Sequence, residues 1–174
     1  MKKSLFSLIF GIAFVIQISA QDAPLWMRYP ALSPDGKNIV FSYQGDLYKV
    51  ETSGGLATPL TLHEAYDYMP VWSHDGSKIA FASNRYGNFD IFVMPSTGGQ
   101  AERLTYHSAG DYPSDFSADN QSVIFHSSRL DAALNQQYPS GVLPELYKVS
   151  ASGGMVKQVL TTPAQNTKIS SDGS

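Results

Sequence analysis

An all-β fold, a β-propeller of four-stranded antiparallel blades, is what this sequence predicts, and three observations carry the prediction. A turn motif returns at intervals close to one blade length. A Gly-Gly pair returns in step with it. The chain between these marks is rich in glycine, proline and aromatics, with no run of helix formers that would make an amphipathic helix.

The turn motif comes first. Ser33-Pro34-Asp35-Gly36-Lys37 recurs as Ser73-His74-Asp75-Gly76-Ser77-Lys78, then as Ser117-Ala118-Asp119-Asn120-Gln121-Ser122. It begins again at Ser170-Ser171-Asp172-Gly173, and the four serines are 40, 44 and 53 residues apart. Asp-Gly supplies the positive φ that tight turns need, and Asn120 tolerates the same left-handed conformation. The aspartates Asp35, Asp75, Asp119 and Asp172 are assigned to fixing these turns through backbone N–H groups. A calcium loop would need several oxygen ligands at alternate positions, and each turn offers one carboxylate.

The second mark is Gly54-Gly55, Gly98-Gly99 and Gly153-Gly154. The first glycine of each pair precedes the next repeat serine by 19, 19 and 17 residues, so the second half of the unit is the constant half. Leu60-Thr61, Leu104-Thr105 and Leu160-Thr161 keep the same step, and Asp67-Tyr68 and Asp111-Tyr112 each precede a repeat serine by six. A shared period of this kind is the signature of a repeat architecture.

Each unit reads as four short strands. In the second they are expected at 69–72, 78–83, 90–94 and 102–106, with Ile79 and Phe81 on one face and Ala80 and Ala82 on the other. The same reading gives strands at 38–42 and 46–50, and at 122–127 and 145–149. Four strands in about 40–45 residues is the size of a propeller blade, whose apolar faces pack against both neighbours. A β-sandwich is the alternative architecture, but it does not require a long repeated motif. The blades fall at about 26–66, 67–110 and 111–165, with the start of a fourth at 166–174. Closed propellers have roughly 4–8 blades. The expectation is therefore a partial propeller, the N-terminal piece of a longer protein.

Residues 1–20 read as a signal peptide. Lys2 and Lys3 precede an apolar run from Leu5 to Ile18, and Ser19-Ala20 end it. That run is too short for a membrane span, which needs roughly 20 residues. Cleavage after Ala20 is the natural bond, although Ile18 is larger than ideal at its position. The mature chain, 21–174, is expected to be exported to the periplasm or outside the cell, with no membrane segment. It has no cysteine, so neither a lipid anchor at the cut nor a disulfide framework is available. Removal of residues 1–20 takes two of the twelve Lys+Arg and none of the fifteen Asp+Glu, leaving a net charge of −5. Scattered charge of that sign disfavours nucleic acid and anionic membranes as partners.

Chemistry-bearing residues are sparse. No Gly-x-Ser-x-Gly pentapeptide occurs. His63, His74, His107 and His126 are far apart in sequence, and a metal site needs three or more convergent ligands. No catalytic residue, cofactor or metal is assigned. His74 is read as a variable exposed turn residue, and Asp46, Asp90 and Glu145 as solvated rim residues. Phe41, Phe81 and Phe125 recur at one position and are assigned to packing between blades. One segment breaks the repeat. Between Arg129 and Glu145 the third blade carries a loop of about fifteen residues where the second blade has about four, and Tyr138 and Leu143 in its segment 131–144 are the candidate contacts for a protein or peptide. Equally, a surface loop accepts such an insertion at little cost.

These residues suggest a family. Ser33-Pro34-Asp35-Gly36-Lys37, Ile39-Val40-Phe41, Asp46-Leu47-Tyr48, Gly54-Gly55 and Leu60-Thr61 together resemble the propeller repeat of TolB and of the tricorn-type peptidases. The second unit, from Pro70 to Met94, matches best, and the resemblance covers residues 26–174. Ala23-Pro24-Leu25-Trp26-Met27-Arg28-Tyr29-Pro30, directly after the signal peptide, is similar to the start of exported tricorn-like peptidases. The resemblance implies a propeller followed by a PDZ domain and a serine peptidase domain of the carboxy-terminal processing family, with catalytic residues beyond this chain. It leaves two alternatives, a non-enzymatic TolB-like binding propeller and the propeller of a prolyl-oligopeptidase-type enzyme.

Overall fold

The computed structural model describes residues 26–129, 143–160 and 162–170. Among these described residues, twelve strands form three separate four-stranded antiparallel sheets, each sheet in simple meander order. The first holds β1 (Arg28–Leu32), β2 (Asn38–Tyr43), β3 (Asp46–Glu51) and β4 (Thr58–Pro59). The second holds β5 (Asp67–Trp72), β6 (Lys78–Ser83), β7 (Asp90–Pro95) and β8 (Glu102–Arg103). The third holds β9 (Asp111–Phe116), β10 (Ser122–Ser127), β11 (Glu145–Ser150) and β12 (Lys157–Leu160). These are three blades of a propeller, and they do not close on themselves. The expected strands lie within a residue or two of the observed ones, except that β8 stops at Arg103 rather than continuing to Tyr106.

The repeat serine and aspartate build the turn between the first two strands of every blade. Ser73 Oγ donates to Asp75 Oδ1 at 2.6 Å, and the Ser77 and Lys78 N–H groups donate to Asp75 Oδ1 and Ser73 Oγ at 3.0 and 2.9 Å. Ser33–Asp35 and Ser117–Asp119 repeat the pattern at 2.7 and 2.5 Å. The serine hydroxyl, followed by a backbone N–H, holds each of Asp35, Asp75 and Asp119 below the ordinary carboxylate range. Gly36 and Gly76 both sit at φ +72° and Asn120 at φ +60°, so asparagine fills the left-handed turn position in the third blade.

Two apolar clusters join the blades. Val40 and Leu47 of the first blade pack against Ile79, Phe81, Phe92 and Met94 of the second. Val71, Ala80, Ile91 and Val93 of the second pack against Phe116, Val123, Phe125 and Tyr147 of the third. The alternation in β6 therefore sends Ile79 and Phe81 to one neighbour and Ala80 to the other.

The rim reading of Asp90 is corrected. Its carboxylate is fully buried and ion-paired with Arg103 Nη2 at 2.7 Å, while the Thr105 hydroxyl lies at 3.4 Å. Burial raises its pKa, and Arg103 partly offsets the rise. The third strand of a blade begins beneath the end of the fourth, and sequence alternation alone does not reveal that cover. Asp46 and Glu145 are half-buried.

Candidate functional site: an axial groove

β1, β5 and β9 are the edge strands of their sheets and lie side by side, β1 against β5 and β5 against β9. Their free edges surround a groove of about 530 Å³ along the propeller axis. Pro30, Leu32, Pro70, Val71 and Trp72 form its apolar wall, and Asp115 and Lys168 supply its charges. Trp72 is fixed by its indole N–H, which donates to the Ala31 carbonyl at 3.0 Å. Leu32 is among the exposed large apolar residues.

All three inner strands are irregular at the same place. The register of β1 against β2 shifts between Arg28 and Ala31, that of β5 against β6 between Tyr68 and Val71, and that of β9 against β10 next to Pro113. Tyr29 and Met69 take positive φ there, +52° and +54°. Such bulges bend a strand and re-aim its side chains. Beside them is an aromatic cluster. Tyr68 meets Tyr29 at 5.3 Å, Tyr66 at 5.4 Å and Phe89 at 4.7 Å between ring centroids, and Phe89 meets Tyr112 at 5.8 Å. Burial, with Tyr112 nearby, pushes the Tyr68 phenol well above its ordinary range, so it stays neutral.

The third blade puts polar groups where the first two carry apolar ones. Counting back from the repeat serines, Asp115 stands where Ala31 and Val71 stand, and Ser114 where Pro30 and Pro70 stand. Ser114 Oγ and His126 Nδ1 lie 3.1 Å apart. Both side chains are buried, with Tyr112 packed on the imidazole at 5.5 Å, so this contact is a packed polar pair without access for a substrate. Burial lowers the His126 pKa. Among the described residues no group of three His, Asp or Glu side chains is placed to hold a metal.

The remaining histidines have structural partners. His63 Nδ1 accepts from the Ala65 N–H at 2.9 Å, and His107 Nδ1 accepts from the Ala109 N–H at 3.0 Å, the same bond in two successive connections. His74 is exposed, as expected, yet it also joins two blades. Its N–H donates to Asn120 Oδ1 at 2.6 Å, and its Nε2 lies 3.1 Å from the Phe116 carbonyl oxygen. Leu143 is exposed two residues before β11, whereas Tyr138 and most of the 131–144 loop lie outside the described residues. The signal-peptide assignment, 1–20, also lies outside them. Sequence reasoning missed the groove residues Leu32, Trp72, Asp115 and Lys168. Departure from the repeat at the position two before each serine was the signal for the last two.

Fold and groove together define a propeller sector whose inner strands line an axial passage. The model for the tricorn protease N-terminal β-propeller domain matches residues 24–174, and the chain belongs to that family. Its repeats are TolB-like. TolB from Acinetobacter baumannii superposes with a TM-score of 0.65 at 23% identity, over 84% of this chain and 36% of that one. Tricorn protease gives 0.54 at 17% identity, over 71% and 13%. Among curated proteins, dipeptidyl-peptidase 5 of Porphyromonas gingivalis is 34% identical over 71 residues. A TolB homologue of Chlorobium luteolum is 39% identical over 54 residues. The aligned parts make up only 10% and 12% of those two proteins.

Proposed function

We propose that this propeller binds unfolded peptide in its axial groove and presents it to a serine peptidase domain of the same exported protein. The observation that carries the reading is the groove itself, with Leu32, Trp72 and the prolines forming an apolar wall, and membership of the family described for the N-terminal propeller of tricorn protease supports it. Apolar pockets with a few placed polar groups are the usual form of a binding site. In this reading the leader 1–20 directs export, catalysis belongs to a domain outside these residues, and a PDZ domain lies between. The 131–144 loop, with Tyr138 and Leu143, is a second contact for the same peptide.

A fluorescent peptide from unfolded casein tests the reading. It should bind the protein saturably, and Leu32→Asp, an exposed change on the groove wall, should weaken binding about tenfold. Equal binding by wild type and Leu32→Asp would remove the groove from the function. Shortening 131–144 to four residues should weaken binding further, and unchanged affinity would dismiss the loop. A TolB-like, non-enzymatic binding propeller is the second reading, supported by the match to the TolB homologue. Peptide hydrolysis by the full-length protein separates the two, since the TolB-like reading expects none.

A further inference from the structure

We infer that the inner edges of the blades are closed to strand addition, so that a peptide in the groove is held by its side chains and not by its backbone. This rests on the peptide-binding reading above. An edge strand normally offers a row of free N–H and C=O groups to any extended chain, and natural proteins blunt such edges with proline, bulges and inward-pointing charges. All three devices occur on these inner strands.

The register identifies which groups face the groove. The N–H groups of Ser33, Ser73 and Ser117 donate outward, to the carbonyls of Asn38, Lys78 and Ser122 in the next strand, at 2.8, 3.0 and 2.9 Å. Backbone groups alternate sides along a strand. The position one before each serine therefore faces the free edge, and the position three before it falls inside the bulge, where the ladder is already broken. Three before, the first two blades have Pro30 and Pro70, which have no N–H to give. Leu32 and Trp72 are left with single donors, and the bulges that contain Pro30 and Pro70 break the line directly before them.

The third blade reaches the same result with side chains. The Phe116 N–H donates to Asp115 Oδ1 at 2.9 Å, and the Ile169 N–H, in the next inner segment, donates to Asp115 Oδ2 at 3.0 Å. His74 Nε2 lies 3.1 Å from the Phe116 carbonyl oxygen. Lys168 Nζ donates to the Ser114 carbonyl at 2.8 Å. Asp115, His74 and Lys168 would read as a reactive cluster by composition alone. Each is instead placed on a backbone group of the free edge. The ligand this wall suits is an extended polypeptide with apolar or aromatic side chains, which Pro30, Pro70, Trp72 and Leu32 can pack against whatever its strand propensity.

Backbone N-methylation supplies the test. A fluorescent octapeptide of alternating valine and threonine is compared with the same peptide N-methylated at every second residue, on the full-length protein. Affinities within about twofold support the inference. A loss of tenfold or more on methylation overturns it and leaves peptide binding standing. Failure of both peptides to bind overturns the peptide-binding reading as well. The double variant Pro70→Ala, Asp115→Ala restores edge donors and should open the methylation ratio to about tenfold, with circular dichroism checking its fold. Should that variant unfold, Pro30→Ala alone carries the comparison. A ratio that stays near one in a folded variant contradicts the role given to these residues.

Discussion

The first and second blades come from one repeat, yet they are held together differently. In the second blade Asp67, at the start of the inner strand, is fully buried and ion-paired with Arg85 Nη2 at 2.6 Å, and Asp90 is paired with Arg103. Each arginine also lies over aromatic rings, Arg85 over Phe92 at 5.1 Å and Arg103 over Tyr86 at 4.3 Å. The third blade repeats the inner pair as Asp111 with Arg129, which lies over Phe125. The first blade has neither clamp. Met27 occupies the aspartate position and Gly45 the arginine position, and the connection has shrunk to Gln44-Gly45, both at positive φ, as two-residue hairpins require. Pro59 stands where Arg103 would, and Asp46 takes the Thr61 hydroxyl and the His63 N–H instead. At the inner clamp acid and base are lost together, whereas at the outer one the acid stays as a half-buried Asp46 and takes neutral donors in place of the arginine, so neither site is left with an uncompensated buried charge. The second blade is also packed on both faces, whereas the cluster joining it to the first draws on only one face of the first.

The comparison can be broken at its strongest point by Phe81→Ala. Phe81 is fully buried between the first two blades, and its loss should cost roughly 3–5 kcal/mol. The same change at the equivalent Phe41, which is outside both clusters, should cost clearly less. Denaturant unfolding of the two variants decides it. Next in size is Arg85→Ala, which strands the buried Asp67 carboxylate and should cost about 3 kcal/mol. Adding Asp67→Ala should recover part of that loss, because the uncompensated charge is gone. No recovery would mean that the arginine acts through its ring contacts and not through the ion pair.

A smaller effect separates the third blade from the second. His126 stands where the second blade has Ala82, and burial lowers its pKa. The unfolded chain then takes up a proton at a higher pH than the folded one. Its contribution to stability should be complete above about pH 6.5, the ordinary histidine value, and should decline as pH falls below it. His126→Ala should flatten that slope in pH-dependent unfolding, and an unchanged slope would assign it elsewhere. Smallest of all, Asp75→Ala removes the acceptor of the Ser73 hydroxyl and the Ser77 N–H and should cost roughly 0.5–1.5 kcal/mol.

Blade number, strand order and the turn chemistry were legible because Ser-x-Asp-Gly and Gly-Gly act locally, within a few residues of the bonds they make. Phe81 and Phe125 were legible as interblade packing through the alternation of β6 and β10. Asp90 was misread because Arg103 reaches it from a strand thirteen residues away, and a period-two pattern does not encode cover from the next strand. The groove was not legible for a similar reason. Pro30, Pro70, Asp115 and Lys168 come from four different inner segments, and only the ring arrangement brings them to one axis. Their repeat positions, however, were readable, and the change from proline and aliphatic to serine and aspartate at Ser114-Asp115 marked the third blade as different.

Photo-crosslinking places the peptide most directly. The photoreactive residue p-benzoylphenylalanine is introduced singly at position 32, on the groove wall, and at positions 86 and 143, which are exposed away from it. Each protein is then irradiated with labelled unfolded casein peptide. Strong crosslinking from position 32 and little from position 86 is the predicted result, with position 143 reporting whether the 131–144 loop also takes part. Crosslinking from position 143 or 86 with none from position 32 would contradict the axial groove as the binding site.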